Sequence, residues 1–153
     1  MPKYKTHLSF GFLTFFIVFF ILNFINISNN YIFLYLGACL LGSLFPDIDT
    51  KSMIQKFFYF FLFFVVIWAI FIKNWQIAAF IGLLALIPMI VNHRKLTHRI
   101  WFVIIVPFFI PIIVYHYNKN MLYPAFFSYV FFVCGAVSHI WLDFGIKRSF
   151  RRK

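Results

Sequence analysis

The sequence predicts an all-α, polytopic membrane helix bundle with about six transmembrane helices and both termini in the cytoplasm. Three observations predict it. The chain is 64% hydrophobic and 25% aromatic, well above the apolar share of a soluble domain. Its apolar residues fall into six runs, and its cations lie at the ends of those runs. We therefore expect a single integral membrane domain over residues 1–153, because lipid is the natural solvent for such a chain.

The six apolar runs are the predicted spans. A helical run of about 20 residues crosses the hydrocarbon core, so the second, third and fifth runs are short and would thin the bilayer or extend into flanking polar residues. Pro88, Pro107 and Pro111 lie inside the fourth and fifth runs, where neighbouring helices tolerate a kink. Cys39 and Cys134 also lie inside runs, and we expect them to be small packing residues. The runs are Leu8–Ile27, Tyr31–Phe45, Phe57–Ile72, Trp75–Val91, Ile100–Tyr115 and Leu122–Leu142.

Three short connections rich in asparagine predict tight turns on one side of the membrane: Ser28–Asn30, Lys73–Asn74 and Asn118–Asn120. The other connections and both termini then face the opposite side. Twelve of the fourteen Lys and Arg fall on that opposite side, and only Lys73 and Lys119 lie with the short turns. This bias predicts a multi-pass protein of the bacterial cytoplasmic membrane with its N- and C-termini inside.

The formal charge of +11 would suit a nucleic-acid partner only if the cations formed a basic stripe. They instead lie at span ends, where they anchor and orient the helices. We therefore expect membrane lipid, and no nucleic acid, as the partner.

The predicted topology places every acidic residue and four of the five histidines on the cytoplasmic side. A chain this apolar can dispense with carboxylates, yet it keeps three, each beside histidine or on the same face. Histidine and aspartate together supply the borderline and hard ligands of metal sites. The predicted ligands of one shared site are His7, Asp47, Asp49, His93, His98, His139 and Asp143.

Two of the motifs have spacings that suit a chelate. His139 and Asp143 are four residues apart and share a helix face. The alternative, a polar cluster that ends a helix, is weakened because an Asp at a C-terminus opposes the helix dipole. Asp47 and Asp49 follow Pro46 in a loop that would aim both carboxylates at one ion or at neighbouring ions. The alternative there is a helix-capping Asp.

The remaining histidines are weaker signals singly. His93 and His98 are five residues apart and do not align on one helix. They fit a bend in which His93 ends the fourth helix, Thr97 caps the fifth and His98 lies in its first turn. Ordinary interfacial histidines are the alternative. His7 stands just before the first span, and His116, on the opposite side, is interpreted as an interfacial aromatic residue.

Seven ligands suffice for one or two divalent ions, since an open catalytic site uses about three protein ligands. Zn²⁺ suits the histidines and is our first expectation, while Mn²⁺ or Mg²⁺ suits the carboxylates. Such an ion would lower the pKa of bound water toward about 7 and supply hydroxide. We expect Asp49 as a catalytic group, with Arg94 and Arg99 clamping a phosphate. Anchoring at the membrane edge is the alternative for both arginines.

These motifs, in this order between hydrophobic spans, resemble the YdjM-type, LexA-regulated, membrane-bound metal-dependent hydrolases. They are an early His, Gly-Ser-x-x-Pro-Asp-x-Asp, His-Arg-x-x-Thr-His and His-x-x-x-Asp. The resemblance implies the seven ligands named above, and Arg94 and Thr97 match its pattern too. The chain has Lys95 where that family often has Gly, and Arg99 where it often has Ser or Thr.

Three functions stay open at this point. A metal-dependent hydrolase at the cytoplasmic interface would act on a phosphoester or ester bond of a lipid-like substrate. A metal-ion or proton transporter is the second, since intramembrane Asp and His mark ion paths, although the polar groups here gather at one edge. A non-catalytic membrane scaffold suits the apolar composition but leaves the clustering of Asp with His unexplained.

Overall fold

The computed structural model describes residues 4–49, 53–76, 78–79, 82 and 98–150, and these residues form helices and turns without a strand. The all-α prediction is confirmed. Contacts divide the chain into two compact units, one formed by Met1–Pro46 with His98–Lys153 and the other by Asp47–Thr97. The helices are α1 (Tyr4–Asn23), α2 (Ile32–Leu44), α3 (Met53–Phe71), α4 (Ile100–Tyr117) and α5 (Leu122–Phe150).

Within the described part of the chain, four helical segments are long and apolar enough to cross a membrane. They correspond to the first, second, fifth and sixth predicted runs, and all four lie in or begin in the first unit. The third run forms a shorter apolar helix, Gln55–Phe71, and most of the fourth run lies outside the described residues. The chain is therefore a polytopic helical membrane protein. The four segments are Tyr4–Asn23, Asn29–Ile48, Ile100–Tyr117 and Lys119–Gly145.

The short second run gains length in the way the sequence suggested. Helix α2 is flanked by 3-10 turns at Asn29–Tyr31 and Phe45–Asp49, which extend the helical segment at both ends. Helix α4 continues through Pro107 and Pro111, whereas Pro88 lies outside the described residues.

The asparagine turns are confirmed in position, with one difference in detail. Helix α1 ends before the predicted turn, and the left-handed residue that reverses the chain is Asn26, with φ of 55°. Lys73 adopts φ of 56° just after α3. Between α4 and α5, the side chain of Asn118 accepts a hydrogen bond from the backbone N–H of Asn120 at 3.1 Å. Asparagine suits turns because it tolerates positive φ, as at Asn26, and because its side chain bonds nearby backbone, as at Asn118.

In the first unit, α5 is the helix against which the other three pack. Tyr35 packs on Phe131 and Ser43 contacts His139, so α2 and α5 run parallel. Short turns join α1 to α2 and α4 to α5, so α1 and α4 run antiparallel to that pair. This arrangement brings the start of α1, the end of α2, the start of α4 and the later half of α5 to one end of the unit.

The parallel helices α2 and α5 approach each other closely because glycines lie at their crossing. A methyl group on Gly42 would collide with the carbonyl oxygen of Phe132, and one on Gly135 would collide with the carbonyl oxygen of Cys39. Small residues allow this backbone contact between membrane helices. Both cysteines are free, and the Cys39 thiol is buried and donates to the Gly11 carbonyl at 3.4 Å. The packing role predicted for this cysteine is confirmed.

Large apolar side chains cover the outside of the first unit. Phe20, Phe33 and Trp141 are 68%, 83% and 73% exposed. Soluble monomers rarely expose apolar surface on this scale. These faces suit contact with lipid, which leaves the polar residues to the unit's interior and ends.

Candidate metal centre

Four of the predicted ligands meet at one end of the first unit. His7 lies near the start of α1, and His98 lies two residues before α4. His139 and Asp143 lie one turn apart on α5. The predicted shared face of the α5 pair is confirmed, since His139 Nε2 lies 3.7 Å from Asp143 Oδ2.

Asp143 is the residue toward which the three imidazoles converge. Its Oδ1 lies 3.8 Å from His7 Nε2, and its Oδ2 lies 3.4 Å from His98 Nε2. These distances exceed the 2.7–3.2 Å of an ordinary N–H···O hydrogen bond. Two ligand atoms bound to one tetrahedral Zn²⁺ are separated by about 3.3 Å. The spacing around Asp143 therefore suits ligands around a cation better than direct hydrogen bonds.

The tautomer of His139 follows from its contact with α2. His139 Nδ1 lies 2.6 Å from the backbone carbonyl oxygen of Ser43. A carbonyl oxygen can only accept, so Nδ1 carries the proton and donates it. In the neutral ring, Nε2 then presents its lone pair toward Asp143. Metal-ligating histidines commonly donate their other N–H to a backbone carbonyl in this manner.

The glycine crossing makes this hydrogen bond possible. Ser43 follows Gly42, which lies against α5, and His139 is one turn beyond Gly135, which lies against α2. A larger residue at either glycine would separate the two backbones and withdraw the Ser43 carbonyl from the imidazole. Close helix packing thus orients the lone pair of a candidate ligand.

The four residues of the centre are buried to different extents. The side chains of His7 and His139 are 2% and 0% exposed, while those of Asp143 and His98 are 13% and 19% exposed. The centre therefore has a sealed floor and a partly open side.

The imidazoles of His7 and His139 stack closely in a buried position. Their ring centroids are 3.8 Å apart and their planes differ by 19°. His7 Nδ1 is buried and has no hydrogen-bond partner in the part of the chain that the structure describes. Leaving such a group unsatisfied costs roughly 1–3 kcal/mol. The other ring nitrogen of His7, Nε2, faces Asp143, so His7 and His139 fit a divalent cation bound through Nε2.

The other predicted site residues belong to the second unit, adjoin the centre along the chain or lie outside the described residues. Asp47 is half-buried in the 3-10 turn Phe45–Asp49, at the start of the second unit. Asp49 ends that turn. His93 and Arg94 lie outside the described residues. Arg99 is exposed next to His98. The membership of these five residues in the site stays a prediction.

Two details of the local interpretation were wrong. Helix α4 begins at Ile100 with Arg99 as its N-cap residue, so Thr97 does not cap it and His98 precedes its first turn. The Arg99 carbonyl accepts from the backbone N–H groups of Phe102 and Val103, which sets that start. Helix α5 continues to Phe150, so its Asp lies inside the helix rather than at its end.

Sequence reasoning also missed the Ser43 carbonyl. A main-chain acceptor has no residue-type signature, so composition and spacing do not reveal it. The available signal was indirect: Gly42 and Gly135 stand inside apolar helices, and an isolated glycine in such a place indicates close backbone approach.

Neither a curated protein sequence nor a solved structure matches the chain significantly. A family model does match, and it covers residues 1–151, which include all the residues of the centre described above. Its description is that of an inner membrane protein, in agreement with the lipid-facing helices. The chain belongs to the YdjM inner membrane protein family.

Proposed function

We propose that this protein is a membrane-embedded, metal-dependent hydrolase that acts at the cytoplasmic face on a phosphoester or ester bond of a lipid-like substrate. The observation that carries the proposal is the convergence of three imidazole Nε2 atoms on the carboxylate of Asp143 at 3.4–3.8 Å. Proteins use this ligand chemistry for Zn²⁺, with Mn²⁺ as an alternative.

The residues of the centre have distinct parts in this proposal. His7 and His139 bind metal through Nε2 from the buried side of the centre, and the Ser43 carbonyl keeps His139 in the tautomer that can do so. His98 and Asp143 complete the site on its open side. A bound divalent ion supplies a Lewis acid and a water of lowered pKa at that side. Arg99 follows His98 along the chain and is exposed, and in this proposal it binds an anionic group of the substrate.

The sequence motifs supply the remaining proposed groups. Asp47, Asp49 and His93 remain candidate ligands on the strength of the sequence motifs, with Asp49 and Arg94 as candidate catalytic groups.

The proposed site lies at headgroup depth. His98 precedes an apolar span, and Trp101 and Trp141, next to the candidate ligands along the chain, are exposed. Tryptophan favours the membrane interface. The distribution of cations supports a cytoplasmic location for this end, six spans and both termini inside. A lipid could then present its headgroup without leaving the bilayer.

Transport is less well supported. Away from the candidate centre, the interior of the first unit, as far as it is described, is filled by the buried rings of Phe15, Tyr35 and Phe131. An ion path needs polar groups along its length, because a charge at the bilayer centre costs roughly 3 kcal/mol or more.

The test is metal content and hydrolysis of the purified full-length protein. We expect bound Zn²⁺ or Mn²⁺ after purification without chelators, and cleavage of a phospholipid or lipid phosphate in mixed micelles. His139→Ala should abolish both. His116→Ala is the matched control, since His116 is an exposed histidine at the other end of α4. Full activity in His139→Ala, or metal-free wild-type protein that gains nothing from added Zn²⁺ or Mn²⁺, would refute the proposal.

Sidedness has its own test. A fluorescent protein fused after Lys153 should fold and fluoresce, and a thiol placed at Asn120 should react with an impermeant reagent added from outside intact cells. The reverse pattern would place the histidine end in the periplasm.

A further inference from the structure

The three imidazoles are not equivalent in their mutual geometry. Two imidazoles that bind one tetrahedral ion through single ring nitrogens hold their centroids roughly 5 Å apart, given metal–nitrogen bonds of about 2.0–2.1 Å. The His98 and His139 centroids are 5.7 Å apart, with ring planes at 71°. This pair suits one shared ion.

The His7 and His139 pair does not suit one shared ion. The centroids are 3.8 Å apart and the rings are nearly parallel, at 19°. Each ring presents Nε2 to a different oxygen of the same carboxylate: His7 to Oδ1 and His139 to Oδ2. Two lone pairs that run side by side cannot both point at a single ion located between them.

An ion in line with each ring resolves the conflict. Two such ions would be separated by about the distance between the rings, and hydrolytic two-metal sites have ions roughly 3.5–4 Å apart. A carboxylate that offers one oxygen to each ion spans this separation. We infer that Asp143 bridges two divalent ions, one bound with His98 and His139 at Oδ2 and the other with His7 at Oδ1.

This inference rests on the proposed function and narrows its substrate. Asp143 is the only acidic residue in the first unit. Two divalent ions carry four positive charges, more than the three aspartates of the chain can neutralise together. A mono- or dianionic phosphate would neutralise the remainder and a neutral carboxylic ester would not. A pair of ions also contacts both the attacking and the leaving oxygen of an in-line displacement at phosphorus. The substrate class is therefore a phosphoester, presented as a lipid headgroup.

The two ions should bind unequally. The ion at Oδ2 has two histidines and a carboxylate oxygen from the first unit, which is the number of protein ligands in an open catalytic site. The ion at Oδ1 has one histidine and one carboxylate oxygen. We expect a tight site and a weaker one, the latter depending on His7.

The experiment is a Mn²⁺ titration of chelator-stripped, full-length protein in detergent, followed by electron paramagnetic resonance. Wild type should bind two Mn²⁺ per chain and show the spectrum of an exchange-coupled pair. His7→Ala should bind one Mn²⁺, with the uncoupled six-line spectrum, and His116→Ala should match wild type. Saturation of wild type at one Mn²⁺, or loss of both ions in His7→Ala, would overturn the bridge.

A second measurement does not depend on any variant. Anomalous scattering from Mn²⁺-soaked crystals of wild type should show two peaks about 3.5–4 Å apart beside Asp143; a single peak overturns the inference. Its failure is distinguishable from failure of the proposed function. If wild type binds one ion and hydrolyses a lipid phosphate, the proposed hydrolase function stands and the two-ion bridge is refuted. If it binds two coupled ions but hydrolyses no member of a phospholipid panel, the bridge stands and the hydrolase function is refuted.

Discussion

The same pair of helices, α1 and α5, brings rings together at two levels of the first unit. Phe15 packs on Phe131 with centroids 5.4 Å apart, and about two turns away His7 stacks on His139 at 3.8 Å. At the first level the rings are hydrocarbon, and Tyr35 completes a dry cluster around them. At the second level, the ring nitrogens face a carboxylate and a backbone carbonyl.

The difference shows how little the backbone needs to change between a core and a candidate site. Both levels use antiparallel packing of aromatic-sized side chains, which contributes dispersion and apolar burial in either case. Only the imidazole level places lone pairs beside an acidic group in a largely buried environment. The sealed floor of the centre is therefore a continuation of the core with different ring atoms.

Replacing the imidazole of His139 by a hydrocarbon ring, as at the Phe15–Phe131 level, should have the largest effect on metal binding and activity. We expect His139→Phe to keep the ring-sized packing against α1 and to lower hydrolysis and metal content by more than about 100-fold, because a directly bound ligand is lost. The Ser43 carbonyl loses its donor, so stability should fall by roughly 1–3 kcal/mol. Elemental analysis and thermal unfolding in detergent measure the two effects. Retention of metal would show that His139 is a core residue only.

Removing a ring from the apolar level should lower stability without lowering metal binding. Phe131→Ala removes a fully buried ring that contacts both Phe15 and Tyr35. We expect a loss of about 3–5 kcal/mol in unfolding free energy. The metal content of the folded fraction should stay at the wild-type level, because the imidazole level has its own contacts. Parallel loss of metal and stability would mean that the two levels are one cooperative structure.

The glycine crossing joins the two levels and should affect both moderately. Gly135→Ala forces a methyl group against the Cys39 carbonyl, and overpacking costs about 1–3 kcal/mol. Displacing the Ser43 carbonyl should also weaken metal binding by about 10–100-fold. Gly37→Ala is the control, since its added methyl group would meet no atom within 4 Å. Competition with a metal-sensitive dye gives the affinities; equal affinities in the two variants would contradict a positioning role for the crossing.

The smallest expected effect concerns a buried polar atom at the apolar level. The Tyr35 hydroxyl is buried and has no hydrogen-bond partner within the described residues. Tyr35→Phe should therefore raise stability by about 1 kcal/mol, since an unsatisfied buried hydroxyl is costly. His7→Phe removes an equally orphaned nitrogen but should reduce metal binding. Thermal unfolding and metal analysis of both variants test the contrast. Destabilisation by Tyr35→Phe would reveal a partner for the hydroxyl.

Sequence pattern anticipated the parts of the site that depend on local geometry. The four-residue spacing of His139 and Asp143 places them on one helix face wherever the helix goes, and alternating spans carry His7 and His98 to the same end. The start of α4 was misplaced because a helix end depends on backbone hydrogen bonds such as those of the Arg99 carbonyl. The full length of α5 was missed because the apolar run ends before the helix does.

The sequence by itself determined that this chain is helical, that it lies in lipid and that His7, His98, His139 and Asp143 share an end. Those properties follow from apolar composition and helical period, which are local along the chain. Only the tertiary structure decided that α2 lies parallel to α5, that the Ser43 carbonyl holds the His139 tautomer, and that one carboxylate faces three imidazoles. Such contacts depend on how closely glycines let remote helices approach, to within fractions of an ångström, and no local pattern specifies a distance between residues far apart in the chain.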